Sequence, residues 1–506
     1  MTFDLTNTLD VVRKSLNCST CRRQRSNVGQ FLTPAKIARF MASLFEHERK
    51  NVRILDAGAG TGVLFAACVE EYVSRKWSSL SINVVAYEND QQILPYLKET
   101  MERCDLTCKR AGISFRGDIR AEDFVMAAIA ETEENLFAPQ GERFSHAILN
   151  PPYKKINSQT ATRRLLNAAG IGVSNLYAAF VWLAARMLEP GGELVAITPR
   201  SFCNGPYFRR FRLSLLDMMS LSRIHVFESR KKAFGDDDVL QENVIFHAVR
   251  GERKPERVRV SSSEGVDFDK STSRSVPYRH VVLPGDRDAF MHLLANGTDD
   301  RAMGEMGAFT TSLFKLGLDV STGRVVDFRA REYLRPLPED GTAPLIHPCH
   351  FDAGFVTWPA ESGKKPNAIV ASAQTRDLLI PTGYYVLTKR FSTKEEPRRV
   401  VAAIYDPNKI EAPFVGFENH LNYFHANGMG LSANFAKGLA LYLNSSLFDR
   451  YFRLFSGHTQ VNATDLRKMR YPSREQLLRL GGRVRQRMPN QEMVDAILEK
   501  ECEGDG

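Results

Sequence analysis

Cysteine is scarce in this chain, with eight in 506 residues. That excludes a disulfide-built secreted scaffold and leaves the thiols free in a reducing compartment. Cys18-x-x-Cys21 and Cys104-x-x-x-Cys108 could pair around zinc in principle. No His or Cys cluster reinforces them, so no metal is expected. No run of about 18 or more apolar residues occurs, so no membrane span is expected. The start, Met1-Thr2-Phe3-Asp4-Leu5-Thr6, lacks a basic segment before an apolar one. No secretion signal is therefore expected, and a cytoplasmic location is. No internal repeat is visible.

What is present is globular: 43% of residues are hydrophobic. The length exceeds one ordinary core, so two domains are expected. The net charge of +9 suits a polyanionic partner, although surface charge also serves solubility.

Val52-Arg53-Ile54-Leu55-Asp56 reads as a buried parallel strand. Ala57-Gly58-Ala59-Gly60-Thr61-Gly62 follows, then the apolar Val63-Leu64-Phe65-Ala66-Ala67-Cys68. Strand, glycine turn and helix make the start of a doubly wound nucleotide-binding fold. The spacing is G-x-G-x-G after Asp56, not the G-x-G-x-x-G that meets a pyrophosphate. A carboxylate there suits an ammonium, as in S-adenosyl-L-methionine. Asn83-Val84-Val85-Ala86-Tyr87 is the next strand, and Glu88 at its end is placed to accept ribose hydroxyls. Ile113 to Gly117 reads as a third strand. Asp118 then stands ready for the adenine amino group of the cofactor, with Ile119 against the ring. Asp123-Phe124 is the second choice for that task.

Asn150-Pro151-Pro152-Tyr153 follows the apolar Ala147-Ile148-Leu149. Two prolines fix φ and remove two backbone donors, which makes a rigid corner. The Asn150 side chain and the Pro151 carbonyl can each accept one hydrogen of an exocyclic amine. Tyr153 offers a face on which a base can stack. As a turn alone the segment would be ordinary; after a glycine loop it points to a site for a planar amine.

With these motifs in this order, the chain resembles the γ class of amino-methylating DNA methyltransferases. Gly29-Gln30-Phe31-Leu32-Thr33-Pro34 is similar to that family's first motif, with Thr33 placed to cap a helix opening at Pro34. Ile37, Phe40, Met41 and Leu44 would form its apolar stripe. The resemblance implies an N6-adenine enzyme of a type II restriction-modification system, flipping its target base out of double-stranded DNA. It implies cofactor contacts from Phe31, Thr33, Pro34 and the loop Asp56, Ala57, Gly58, Gly60 and Gly62. It also implies that Phe234 packs on the second face of the base. Asn419 to Tyr423 and His458 to Asn462 resemble the recognition halves of type II methylases. Methylation of a ring carbon would need a Pro-Cys nucleophile, and Pro348-Cys349 is the only such pair, far from the catalytic half.

The expected fold is α/β: a Rossmann-like S-adenosylmethionine-dependent methyltransferase domain over 1–249, a linker over 250–288, and an α+β target-recognition domain over 289–506. Candidate DNA contacts are Lys154, Lys155, Arg163 and Arg164 beside the corner. Others are Lys389, Arg390, Arg467 and Lys468 in the basic–aromatic runs of the second half. No carboxylate-plus-lysine nuclease cluster stands out, so the cognate endonuclease is expected on a separate chain. Cytosine N4, an RNA base or a glutamine amide remain alternative acceptors, as does an inactive DNA-binding module.

Overall fold

The computed structural model describes residues 5–19, 32–76, 80–132, 142–157, 159–227, 243–294, 297–307, 309–360, 365–392, 396–455 and 460–503. Phe31, Phe234, Cys21 and His458 lie outside them. The chain divides into two compact units, Met1–Asn296 and Gly297–Gly506.

The first unit is built on a nine-stranded sheet. Its strands are β1 (Asn51–Ala57), β2 (Ser81–Tyr87), β3 (Ser114–Arg120), β4 (Phe144–Leu149) and β5 (Leu188–Pro199). β6 (Met219–Phe227), β7 (Asn243–Arg250), β8 (Arg257–Ser263) and β9 (Thr272–Pro277) complete it. The spatial order is β3-β2-β1-β4-β5-β7-β6-β8-β9. β3, β2, β1, β4 and β5 run parallel, and β7 enters antiparallel between β5 and β6. The inner parallel strands β2, β1 and β4 are nearly continuous apolar runs, as strands covered on both faces must be, whereas β3 at the edge is polar and largely exposed. Helices α1 (Leu5–Ser19), α2 (Ala35–Ser43), α3 (Val63–Arg75), α4 (Leu94–Arg110), α5 (Phe124–Thr132), α6 (Ala161–Ala168), α7 (Leu176–Met187) and α8 (Arg209–Met218) connect or cover them. This is the Rossmann-like methyltransferase architecture. The order reverses between β1 and β4, so the loops leaving their carboxyl ends splay apart and open a crevice.

Residues 250–288 are not a linker. β8 pairs in parallel with β6, and β9 pairs antiparallel with β8. Phe268 stacks on Phe40 of α2 at 4.1 Å, with the rings 4° from parallel. The serine- and charge-rich composition belongs to the sheet edge, where β9 is the last strand and β8 its neighbour.

The second unit carries two sheets. Its strands are β10 (Asp319–Thr322), β11 (Leu334–Arg335), β12 (Thr342–Ile346), β13 (Phe351–Asp352), β14 (Phe355–Val356) and β15 (Ala368–Val370). β16 (Leu379–Pro381), β17 (Tyr385–Lys389), β18 (Ala402–Tyr405), β19 (Phe414–Phe417) and β20 (Leu421–His425) follow. One sheet has the order β10-β20-β17-β18-β14-β13 and the other β11-β15-β12-β19-β16. Two helices follow late in the chain, Ala433–Leu443 and Ser446–Phe455, separated at Asn444 and Ser445. The Asn444 side chain bonds the backbone of Ala402 in both directions, which ties this break to β18.

Candidate active site

A cavity of about 430 Å³ opens at the carboxyl ends of β1, β2 and β4. That is large enough for a nucleoside-sized ligand. Leu32, Thr33, Gly58, Ala59, Gly60, Thr61, Glu88, Asp123, Phe124, Asn150, Pro152, Lys154 and Phe180 all line it.

The glycine loop forms its floor. Gly60 and Gly62 sit at φ of +57° and +86°, where L side chains are strained. A Cβ on Gly62 would lie 2.6 Å from the Phe65 ring, and one on Gly60 would lie 3.1 Å from Leu32. The Gly58 and Ala59 amides donate to the Tyr87 carbonyl, which straps the loop to the end of β2. Glu88 completes the strap. One of its oxygens accepts from the Gly60 amide at 2.9 Å, the other from the amides of Asn89 and Asp90. Burial outweighs these bonds and raises its pKa.

Asp56 is fully buried at the end of β1 and is not among the lining residues. One oxygen accepts weakly from the Phe65 amide at 3.3 Å, and the other is buried without a partner. Burial drives its pKa up to about 8, the Phe65 amide opposes the rise, and the Glu88 charge adds to it.

Asn150 stands at the end of β4. Its Nδ2 donates to Thr33 Oγ1 at 2.9 Å, and its Oδ1 accepts from the Tyr153 hydroxyl at 3.1 Å. The Tyr153 ring is half-buried and meets Tyr177 edge-on at 6.2 Å. Burial pushes the Tyr153 pKa up, so the hydroxyl stays protonated and donates. Thr33 is thus no helix cap. α2 begins at Ala35 with Pro34 as its N-cap residue, and the Ala35 amide is met from another helix, by Asp10 Oδ1 at 3.3 Å. The Thr33 hydroxyl holds the Asn150 amide instead.

β3 runs to Arg120, past the expected end at Gly117. Asp118 therefore lies within the strand, opposite Val85, half-exposed and paired with Arg120. Neither it nor Ile119 lines the cavity; Asp123 and Phe124, the second choice from sequence, do. Pro34 does not line it either. Phe180 and Thr61 carry no sequence motif for this role. Phe180 reaches the cavity because α7 packs beside it, 5.0 Å from the Phe124 ring.

The basic residues divide. Lys154 lines the cavity, and Lys155 and Arg164 are exposed. Arg163 shares a second cleft with Tyr207, Arg209 and Arg210. In the second unit, Lys389 lies over the Phe351 ring, and Arg390 donates to the Asn419 carbonyl. Arg467 pairs with Asp319 and donates to the Val320 carbonyl, so it braces β10. Lys468 is exposed.

Comparison with known proteins decides the family. The Eco57I restriction-modification methylase family matches residues 73–234. The type II methyltransferase M.PstI of Providencia stuartii is 43% identical over 97% of this chain and 96% of its own length. M.BsuBI of Bacillus subtilis is 44% identical over 98% of each. The chain belongs to the type II restriction-modification DNA methyltransferases. Among solved structures, the type IIG restriction endonuclease BpuSI aligns over 95% of this chain and 65% of its own, at 13% identity and a TM-score of 0.46. Among the described residues, no helix is long and apolar enough to cross a membrane.

Membership brings S-adenosylmethionine as cofactor, and the residues fit it. Gly58 and Gly60 line the cavity at positive φ, where a Cβ would meet its walls at Phe180 and Leu32, and a buried carboxyl with an oxygen unpartnered among the described residues stands at the loop's start. A cation bound above it would favour the charged form of Asp56 and oppose the rise that burial causes.

Proposed function

We propose that this enzyme methylates N6 of adenine in double-stranded DNA, at a base swung out of the helix. The observation that carries the reading is the position of Asn150. It lines the same cavity as the glycine loop and Glu88, with its amide held from behind by Thr33. Because Nδ2 is engaged by Thr33, Oδ1 is the end left to accept from an incoming amine. A carbonyl oxygen has two lone pairs, so it can bond the amine beside the Tyr153 hydroxyl or in its place.

The exocyclic nitrogen of adenine is a poor nucleophile, since its lone pair is delocalised into the ring. Asn150 Oδ1 and the Pro151 carbonyl each take one of its hydrogens and draw it toward tetrahedral geometry. The lone pair then localises on nitrogen. Tyr153 supports the base by stacking, worth ~1–3 kcal/mol in comparable sites. When bound, S-adenosylmethionine supplies an activated methyl group. The protein's remaining task is alignment of the nitrogen with that group. Gly58, Gly60, Glu88, Asp123 and Phe124 serve cofactor binding in this reading, with Asp56 acting from below the loop. Lys154, Lys155, Arg163 and Arg164 hold phosphates, and the unit from Gly297 onward chooses the sequence. The cognate endonuclease is a separate chain.

The test is product chemistry. The full chain is incubated with labelled cofactor and DNA, and the DNA is digested to nucleosides. N6-methyladenine is expected, and N4-methylcytosine would overturn the assignment. Asn150→Ala should abolish transfer while cofactor affinity survives, because Asn150 addresses the amine.

A further inference from the structure

We propose that Asp327, His347 and Glu418 form a binding site for a divalent transition cation of the zinc type in the second unit. Their ligand atoms all lie within 4.8 Å of one another. Small side-chain rotations suffice to place all three on one ion, with bonds of about 2 Å.

The backbone assembles this cluster. β12 and β19 are parallel neighbours, with Leu345 opposite Gly416 and Ile346 opposite Phe417. His347 and Glu418 are the next residues on each strand, so both leave the sheet at the same level. The Glu418 amide donates to the Ile346 carbonyl and holds that register. The third segment is laced to the same place. Val325 bridges to Glu418, the Val325 amide donates to the Phe417 carbonyl, and the Asn419 amide donates to the Val325 carbonyl. Asp327 follows two residues later. Gly323 permits the approach, since a Cβ there would lie 2.1 Å from the Glu418 carbonyl oxygen.

The polar atoms themselves point to a ligand. His347 and Glu418 are each about 1% exposed. Oδ1 of Asp327 is buried without a hydrogen-bond partner among the described residues, and neither ring nitrogen of His347 makes a well-formed hydrogen bond there, its Nδ1 lying 3.9 Å from Glu418 Oε2. Such atoms are costly to leave unsatisfied. Lys365 does not replace an ion here, because it bonds the other Asp327 oxygen at 2.7 Å and is half-exposed. Supporting contacts of the kind that orient metal ligands are in place. The His420 amide and ring both bond the Glu418 carboxylate. His350 accepts from the His347 amide and pairs its other nitrogen with Asn367, so it fixes the backbone and is no ligand.

The donor set selects the ion. One imidazole with two carboxylates suits zinc, with water in the remaining position, whereas magnesium prefers an all-oxygen shell. Bound there, the ion would tie three segments of the chain together at the end of one sheet.

The test uses the full-length, untagged protein stripped with chelator and desalted. Calorimetric titration with ZnCl2 should show one saturable ion per chain, and thermal unfolding should shift upward. MgCl2 should do neither. Asp327→Asn keeps size and should fold, and should weaken zinc by at least the roughly 10–100-fold that loss of a mere outer-sphere partner costs. His347→Ala should do at least as much. Cys349 is an exposed thiol close by, and Cys349→Ser should leave binding unchanged. The proposal is overturned if wild-type protein takes up no stoichiometric zinc, if Asp327→Asn binds as wild type does, or if loss follows Cys349→Ser instead.

Discussion

Thr33→Val separates the orienting role of Thr33 from its shape. The two side chains are nearly isosteric, so the change removes one oxygen from a site about 5% exposed. What is lost is the 2.9 Å hydrogen bond that Thr33 Oγ1 accepts from Asn150 Nδ2. A neutral hydrogen bond of this kind is worth about 0.5–1.5 kcal/mol net. If all of it is felt in holding Oδ1 toward the amine, the transfer rate falls by roughly 2–13-fold. The loss should appear in single-turnover methyl transfer at saturating DNA and cofactor. Cofactor affinity should change less than the rate, because the methyl group of valine still lines the cavity. Thr33→Ser restores the acceptor and should recover most of the rate. Asn150→Ala should be far more severe, since it removes the oxygen itself. The reasoning is refuted if Thr33→Val transfers at the wild-type rate. It is equally refuted if Thr33→Ser is as impaired as Thr33→Val, which would make Thr33 a matter of packing alone.

Three further outcomes are expected. Gly62→Ala should destabilise the first unit by at least ~1–2 kcal/mol in urea unfolding, because φ is +86° and the new methyl meets Phe65; an unchanged midpoint would contradict the loop geometry. Stability should fall as pH drops from 6.5 toward 4. Burial lowers the His225 pKa to about 4. Burial opposes ionisation of Glu193, but the His146 ring beside it, the His247 hydrogen bond and the Glu46 amide outweigh burial and hold that carboxyl well below its usual range, so its share is lost at the acid end of this window and below. Both groups have folded pKa values below their unfolded ones, so each contributes stability that acid removes; His225 alone accounts for on the order of 2–3 kcal/mol. A flat unfolding free energy across that window would refute this. A chain ending at Leu294 keeps β8 and β9, and should bind cofactor but lose site-specific methylation. If that folded fragment still marks one defined sequence, recognition does not reside beyond Gly297.

The site was legible where its chemistry is local. The glycine loop, Glu88 and the Asn-Pro-Pro-Tyr corner each lie directly after a strand, and a parallel sheet brings such residues to one edge without further information. Asp118 lies within the strand and off the cavity because β3 extends to Arg120, and an Arg-Gly-Asp stretch carries no apolar signal of continuing strand. The pair that lines the cavity beyond that strand, Asp123 with Phe124, was visible as residues but ranked second for the same reason. Thr33 was given the task its type performs before a helix. Its actual partner lies 117 residues away, and only folding brings it near.

The same distinction governs the rest of the chain. β9 is the edge strand and β8 its neighbour, and a composition break looked like a linker because the polar edge of a sheet and a linker draw on the same residues. Arg467 sits in a basic run and reads as a DNA contact, yet its guanidinium is taken up by Asp319, 148 positions earlier. Asp327, His347 and Glu418 share no spacing that a metal motif would show, and a search for Cys and His pairs passes over them. Their grouping follows from the parallel register of two strands whose sequences say nothing about each other. Local pattern therefore suffices for residues that act at the end of their own strand. Residues that act through a partner on another strand need the register before their chemistry can be read.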